Sequence, residues 1–265
     1  MSAGSGRTPA GKGTRSLEET YCIERKKWDE MAQRAFSEAN LLPPHVDFED
    51  LARKSGMLIG VADFFGDLKG KRVLEYGCGL GKTSVLLAKS SAEVSAFDLS
   101  PISVEVARTR AKLNGLELDL AVAAGEKLPY PDESFDVVFG RAILHHLDVG
   151  RGWGELYRVL KPGGKAAFVE PMGMNPILNF VRDHVPYPHK TPRGADRPLT
   201  YKEIRAWGKG FSDFRFREIQ FLSMLERMMG FNQRFPLLRR IDNVLLERLP
   251  FLRRYCRYVI MYMVK

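Results

Sequence analysis

From Arg72 onward, short apolar runs alternate with segments of helical pattern, and this alternation constrains the chain more than any other feature. Arg72 to Tyr76 reads as a strand, Lys82 to Lys89 as a helix and Glu93 to Asp98 as a second strand. Ser100 caps the next helix, with Pro101 at its first position, and the helix runs to Asn114, where Gly115 closes it. Leu118 to Ala123 and Phe135 to Phe139 follow as strands, then a helix over Trp153 to Leu160 and a fifth strand over Lys165 to Val169. Strands separated by helices of this length build βαβ units, so the sheet is expected to be parallel. Ahead of it, Leu17 to Asn40 has an amphipathic helical pattern that Leu41-Leu42-Pro43-Pro44 stops, and Phe48 to Phe65 forms a second helical stretch. Behind it, Phe214 to Phe221 and Tyr255 to Val264 look like strands separated by helical material rich in Met, Leu and Arg. No repeat and no interdomain linker interrupts the pattern. The expected organisation is a Gly/Ser/Thr-rich tail over 1–16 and one domain over 17–265.

Composition narrows the function classes. A hydrophobic share of 45% in 265 residues supplies a sizeable core. No run approaches the ~20 apolar residues of a membrane span, and the first residues carry no apolar segment of the secretory kind, so a cytoplasmic protein is expected. Cys22, Cys78 and Cys256 form no CxxC pair, and the five histidines show no ligand spacing, so no metal is expected. The net charge of +9 is uneven: residues 176–265 hold 18 Lys and Arg against 8 Asp and Glu. A basic third of this kind attracts nucleic acid, a membrane surface or an anionic substrate, or is simply a solvated face.

The strongest local signal is Glu75-Tyr-Gly77-Cys-Gly79-Leu-Gly81, which joins the first strand to a helix. Glycines there permit a tight turn and let backbone amides approach a ligand closely. Asp98 ends the next strand 21 residues after Gly77, near the spacing at which an acid meets ribose hydroxyls; the alternative for it is a helix cap. Gly81-Lys82-Thr83 is out of register for a phosphate-binding P-loop, whose first glycine would fall on Tyr76. A nicotinamide-type fingerprint would want its third glycine where Lys82 stands.

VLEYGCGLG (residues 73–81), FDLS (97–100), LPYPDESFDVV (128–138), LHHLD (144–148) and ELYRVLKPGG (155–164) together resemble the ordered motif series of class I S-adenosylmethionine (SAM)-dependent methyltransferases. The likeness is strong over about residues 70–171 and weaker toward the C-terminal strands. It implies a Rossmann-like three-layer α/β sandwich with a seven-stranded, mostly parallel sheet and an antiparallel last strand over 255–265. It also implies a helical lid over 17–69, a SAM-binding core over 70–171 and acceptor-side inserts over 172–254.

By the same resemblance, Glu75, Gly77, Gly79 and Gly81 would meet the methionine part of SAM, Asp98 the ribose, and Gly125 and Glu126 the adenine region, with Leu99 also in the cofactor site. Ala124 stands where relatives often carry Asp, so that adenine contact is missing. Arg141 would face the methionine carboxylate or the acceptor, or is a surface arginine. Tyr21 and Trp28 share a helix face that would close over the cofactor or the acceptor, or pack as core. His146 and Glu170, at the ends of the fourth and fifth strands, are the candidate bases; Glu170 would alternatively bind the methionine amino group or pin the insert.

The stretch from Glu170 to Thr200 resembles the acceptor-side insert of bacterial small-molecule methyltransferases. Its His184, His189, Arg193 and Arg197 would bind a largely apolar, anion-compatible acceptor of prenyl, terpenoid or other natural-product type. Nucleic acid is not expected as acceptor, since no RNA-binding module accompanies these residues. Peripheral membrane contact and self-association through the N-terminal helix are compatible with the sequence. The competing readings are a catalytically silent SAM-fold binding protein and a methyltransferase of lipid or RNA.

Overall fold

The computed structural model describes residues 16–34, 41–184, 197–225 and 236–265. Seven strands form one sheet in the order β3-β2-β1-β4-β5-β7-β6. They are β1 (Arg72–Tyr76), β2 (Glu93–Asp98), β3 (Asp119–Val122), β4 (Phe135–Arg141), β5 (Leu160–Pro171), β6 (Asp213–Ile219) and β7 (Tyr258–Val264). The first five are parallel, and β7 runs antiparallel to both β5 and β6. The strand order therefore reverses beside β1, whose neighbours are β2 and β4. Crevices at such switch points, outside the carboxyl ends of the strands, are where open α/β sheets bind ligands.

The central strands, β1, β4 and β7 among them, are apolar on both faces because helices cover both. On one side Leu74, Tyr76, Phe97 and Phe168 pack with Trp207. On the other, Val73, Val137, Phe139 and Val169 pack with Phe48, Phe65 and Leu87. The helices are α1 (Leu17–Arg34), α2 (Phe48–Lys54), α3 (Val61–Phe65), α4 (Lys82–Lys89), α5 (Pro101–Leu113), α6 (Val149–Val159), α7 (Pro176–His184), α8 (Tyr201–Trp207) and α9 (Pro236–Arg248). Ser100 caps α5 by accepting the Ser103 N–H at 3.0 Å, with Pro101 in the first turn.

Several boundaries differ from the sequence expectation for local reasons. The stretch from Phe48 to Phe65 is two helices, because Ser55 leaves α2 in an extended conformation and Gly60 enters α3 with φ of 76°. Asp148 starts α6 four residues early by accepting the Arg151 N–H at 3.0 Å. Strand β6 stops at Ile219, since the N–H groups of Phe221, Leu222 and Ser223 are taken by the buried Asp242 carboxylate. Pro250–Tyr255 is a 3-10 turn, so β7 starts at Tyr258. The expected continuation of the first helix over residues 35–40 lies outside the described residues.

Candidate active site

A cavity of about 440 Å³ opens at the carboxyl ends of β1, β2 and β4, under α1. Its floor is the glycine loop. Gly79 holds φ of 49°, and a Cβ there would meet nothing within 4 Å, so the bare backbone faces open space. Gly81 is different: its φ is 72°, and a Cβ would come 2.5 Å from the Ala107 methyl on α5. The first glycine exposes backbone to a ligand, and the second lets α4 and α5 pack closely. Asp98 fixes the loop by accepting the Gly79 N–H at 2.8 Å and the Ser100 N–H at 3.0 Å. Burial lifts its carboxyl above the ordinary range against the pull of those N–H groups.

Glu75 lines the same floor and is 5% exposed. Ser84 donates its hydroxyl to the Glu75 carboxylate. Burial nevertheless pushes the carboxyl up to about 7, although the Ser84 bond and the charge of Arg141 favour ionisation. A carboxylate left so poorly solvated at a cavity wall is matched by a cation.

The roof is α1, and its inward face is unusual. Tyr21, Glu24 and Trp28 recur at helical spacing and all line the cavity. Glu24 is 4% exposed, whereas Ile23 and Met31 face solvent. A helix laid on a core would bury its aliphatic residues; this one turns aromatic and acidic groups toward a ligand space. The Asp29 carboxylate accepts the Ser100 hydroxyl and ties α1 to the loop after β2. Trp28 Nε1 donates to Glu24 Oε2 at 2.9 Å, and the indole meets the His146 ring edge-on at 5.7 Å. Nδ1 of His146 lies 3.5 Å from Glu24 Oε2. Burial raises the Glu24 carboxyl, but His146, Lys27 and Trp28 outweigh it and hold the group below its ordinary range. Glu24 Oε1 and Glu126 Oε2 are buried without a hydrogen-bond partner, which leaves polar capacity for a ligand.

At the far end, Glu126 Oε1 accepts the Asp148 N–H at 3.0 Å. Burial, followed by the neighbouring Glu126 charge, pushes the Tyr21 phenol up, so it stays protonated.

Residues 74–168 match the methyltransferase-domain family. They form a class I SAM-dependent methyltransferase domain. Within curated relatives, the chain is 38% identical over 105 residues to a Streptomyces halstedii protein named methyltransferase GfsG, covering 38% of each chain. It is 37% identical over 105 residues to a Thermus thermophilus demethylmenaquinone methyltransferase, covering 38% of this chain and 47% of that one. The chain thus spans less than half the length of these relatives. A Haemonchus contortus phosphoethanolamine N-methyltransferase, solved with SAM, superposes with a TM-score of 0.62 at 19% identity, covering 97% of this chain and 61% of that one. At that identity the likeness speaks to the fold.

The methyltransferase domain's cavity suits SAM. Asp98 presents carboxylate acceptors to the cavity, Glu75 an acidic group and Arg141 a positive charge, which are the chemistries such a ligand calls for. Tyr21, Glu75, Gly77, Gly79, Asp98, Leu99, Gly125, Glu126, Arg141, Trp28 and His146 all line it, as does Ala124, which has no side-chain acceptor. Gly81 does not, for the packing reason given above.

Glu170 corrects the sequence reading. It is fully buried, accepts the N–H groups of Ile143 and Leu144 at 2.9 and 3.0 Å on Oε1, and holds His145 Nδ1 at 2.7 Å on Oε2. Both oxygens are committed and neither lines the cavity, so Glu170 positions the turn carrying His146 instead of acting as base. The substrate residues expected in the insert also fall elsewhere. His184 stacks on Phe180 and bonds its carbonyl, and Arg197 pairs with Glu203 at the start of α8. Neither lines the cavity; His189 and Arg193 lie outside the described residues. The sequence reading missed Glu24, although it lies on the same helical face as Tyr21 and Trp28. It also missed Arg110, which reaches the Leu80 carbonyl from α5 and lines the cavity.

Proposed function

We propose that the protein transfers the methyl group of SAM to a small, largely apolar organic molecule in the cavity beneath α1. The observation that carries this reading is the inward face of α1, which presents Tyr21, Glu24 and Trp28 to the glycine loop and Asp98 instead of to a core. Bound SAM supplies an electrophilic methyl carbon on a positively charged sulfur. The chain's task is then to orient the acceptor, exclude water and take up a proton.

Gly77 and Gly79 with Glu75 and Arg141 hold the methionine part, while Asp98 and Leu99 hold the ribose. Glu126 and Tyr21 border the adenine. Trp28 and α1 close the cavity against water. His146 is the base: Glu24, kept ionised, stabilises the imidazolium from the Nδ1 side, leaving Nε2 to take the acceptor's proton. The resemblance to a demethylmenaquinone methyltransferase supports a small-molecule acceptor and leaves oxygen, nitrogen and carbon acceptors to be told apart by assay.

The test is incubation with methyl-labelled SAM and a panel of quinols, phenols and phosphobases, read by mass spectrometry for S-adenosylhomocysteine and labelled product. His146→Ala should lower turnover by about a hundredfold while SAM affinity holds. Firm SAM binding with no labelled product from the panel or from cell extract would favour a non-methylating SAM-fold protein.

A further inference from the structure

Three segments hang from the cavity end of the sheet: α7 after β5, α9 after β6, and the Pro250–Tyr255 turn before β7. They are tied there by polar contacts. Asn175 Nδ2 donates to the Tyr255 carbonyl at 2.7 Å, and Asp242 on α9 takes the N–H groups that follow β6.

The outer face of these segments is apolar. Helix α9 turns Asp242 and Leu246 inward, while Leu237, Ile241 and Val244, spaced i, i+4, i+7, are 64%, 37% and 47% exposed on the opposite side. In α7 no residue is buried, and Ile177 and Phe180 are 68% and 62% exposed. A surface helix ordinarily shows its polar face to water, and a cluster of this kind marks a contact surface.

Arginines frame it. Arg240, Arg248, Arg253 and Arg254 are exposed, against two exposed acids on the three segments, Asp183 in α7 and Glu247 in α9. That charge pattern decides the occupant. A second copy docking through the same patch would set arginines against arginines, whereas apolar side chains among guanidinium groups complement an anionic lipid surface.

We propose that α7, α9 and the Pro250–Tyr255 turn form a peripheral membrane-binding face for anionic phospholipid. Leu237, Ile241, Phe251 and Phe180 enter the boundary between headgroups and acyl chains, and the arginines pair with lipid phosphates. The face lies at the end of the sheet where the cavity opens, so docking brings that end toward the bilayer. The proposal stands apart from methyl transfer, and its test does not depend on turnover.

The test is co-sedimentation of the full chain with phosphatidylcholine vesicles and with phosphatidylcholine/phosphatidylglycerol vesicles, at low and high salt. Partition into the mixed vesicles, weakened by salt, is expected, with little into phosphatidylcholine alone. Ile241→Asp with Val244→Asp should lower partition at least about tenfold. Arg248→Glu with Arg254→Glu should lower it about fivefold or more per arginine. The arginine pair is solvent-exposed and keeps the test decisive if the α9 variant does not fold. SAM titration and the thermal midpoint report folding. Absent partition, equal partition into both vesicle types, or folded variants that partition as wild type would overturn the proposal. A wild-type dimer that the variants render monomeric, without lipid binding, would assign the face to a second copy.

Discussion

With SAM placed as proposed, Glu75 would tie protein ionisation to cofactor binding with a sign that can be measured. Burial holds its carboxyl at about 7, above the 4.5 of an unperturbed glutamate. Because the folded value is the higher one, this group's contribution to stability is complete below the unfolded value and is lost as pH rises through about 7. At about 1.4 kcal/mol per unit, the SAM-free protein gives up about 3 kcal/mol from this residue by pH 8. SAM bound as proposed would bring positive charge to the same cavity wall and draw the proton off. Roughly a tenth of Glu75 is ionised at about pH 6 and roughly nine tenths at about pH 8, so SAM affinity should rise about tenfold, ~1.4 kcal/mol, across that interval. Calorimetry at both pH values, in two buffers of different ionisation enthalpy, reads the affinity and the released proton together. Glu75→Gln should flatten the pH profile and weaken binding by about tenfold or more at the higher pH, through loss of a charge-assisted contact. A flat wild-type profile, or a variant that binds as tightly as wild type, would refute the pairing of Glu75 with the cofactor's charge.

Three further outcomes follow from the same geometry. Trp28→Ala, which removes a wall of the cavity and the Glu24 bond, should weaken SAM binding about tenfold by calorimetry, with the thermal midpoint little changed. Glu170→Ala leaves the Ile143 and Leu144 N–H groups buried without an acceptor and should cost about 2 to 5 kcal/mol in denaturant unfolding, while Glu170→Gln, which keeps most of those bonds, should retain turnover. Gly81→Ala should lower stability by about 1 to 3 kcal/mol, since its Cβ meets Ala107 at 2.5 Å and its φ is positive; a thermal midpoint like wild type would show that α4 and α5 tolerate the added methyl.

The centre of the sheet was readable because strands such as β1, β4 and β7 are covered on both faces and appear as apolar runs bounded by turn residues, and the glycine loop and Asp98 lie where connectivity alone brings strand ends together. What escaped the reading depends on contacts that spacing does not encode. Glu170 ends a strand at the ligand crevice, yet its carboxylate turns to three groups of the turn after β4, which are 25 to 27 residues away in sequence. Arg197 looked available to a substrate but is held by Glu203. Glu24 passed unnoticed because an acid in an amphipathic helix ordinarily faces water, whereas here the helix roofs a cavity. The early end of β6 depends on Asp242, which reaches it from a helix about twenty residues later.

The most direct test of the account is titration of the purified protein with SAM, alongside Asp98→Ala. Wild type should bind one SAM per chain, competed by S-adenosylhomocysteine, and gain thermal stability on binding. Loss of the Asp98 carboxylate should weaken that binding by ~1.5 to 3 kcal/mol, about tenfold or more, because it removes the proposed ribose acceptors and frees the Gly79 loop. No saturable SAM binding by the wild-type protein, or unchanged affinity in the variant, would contradict the assignment of this cavity to the cofactor.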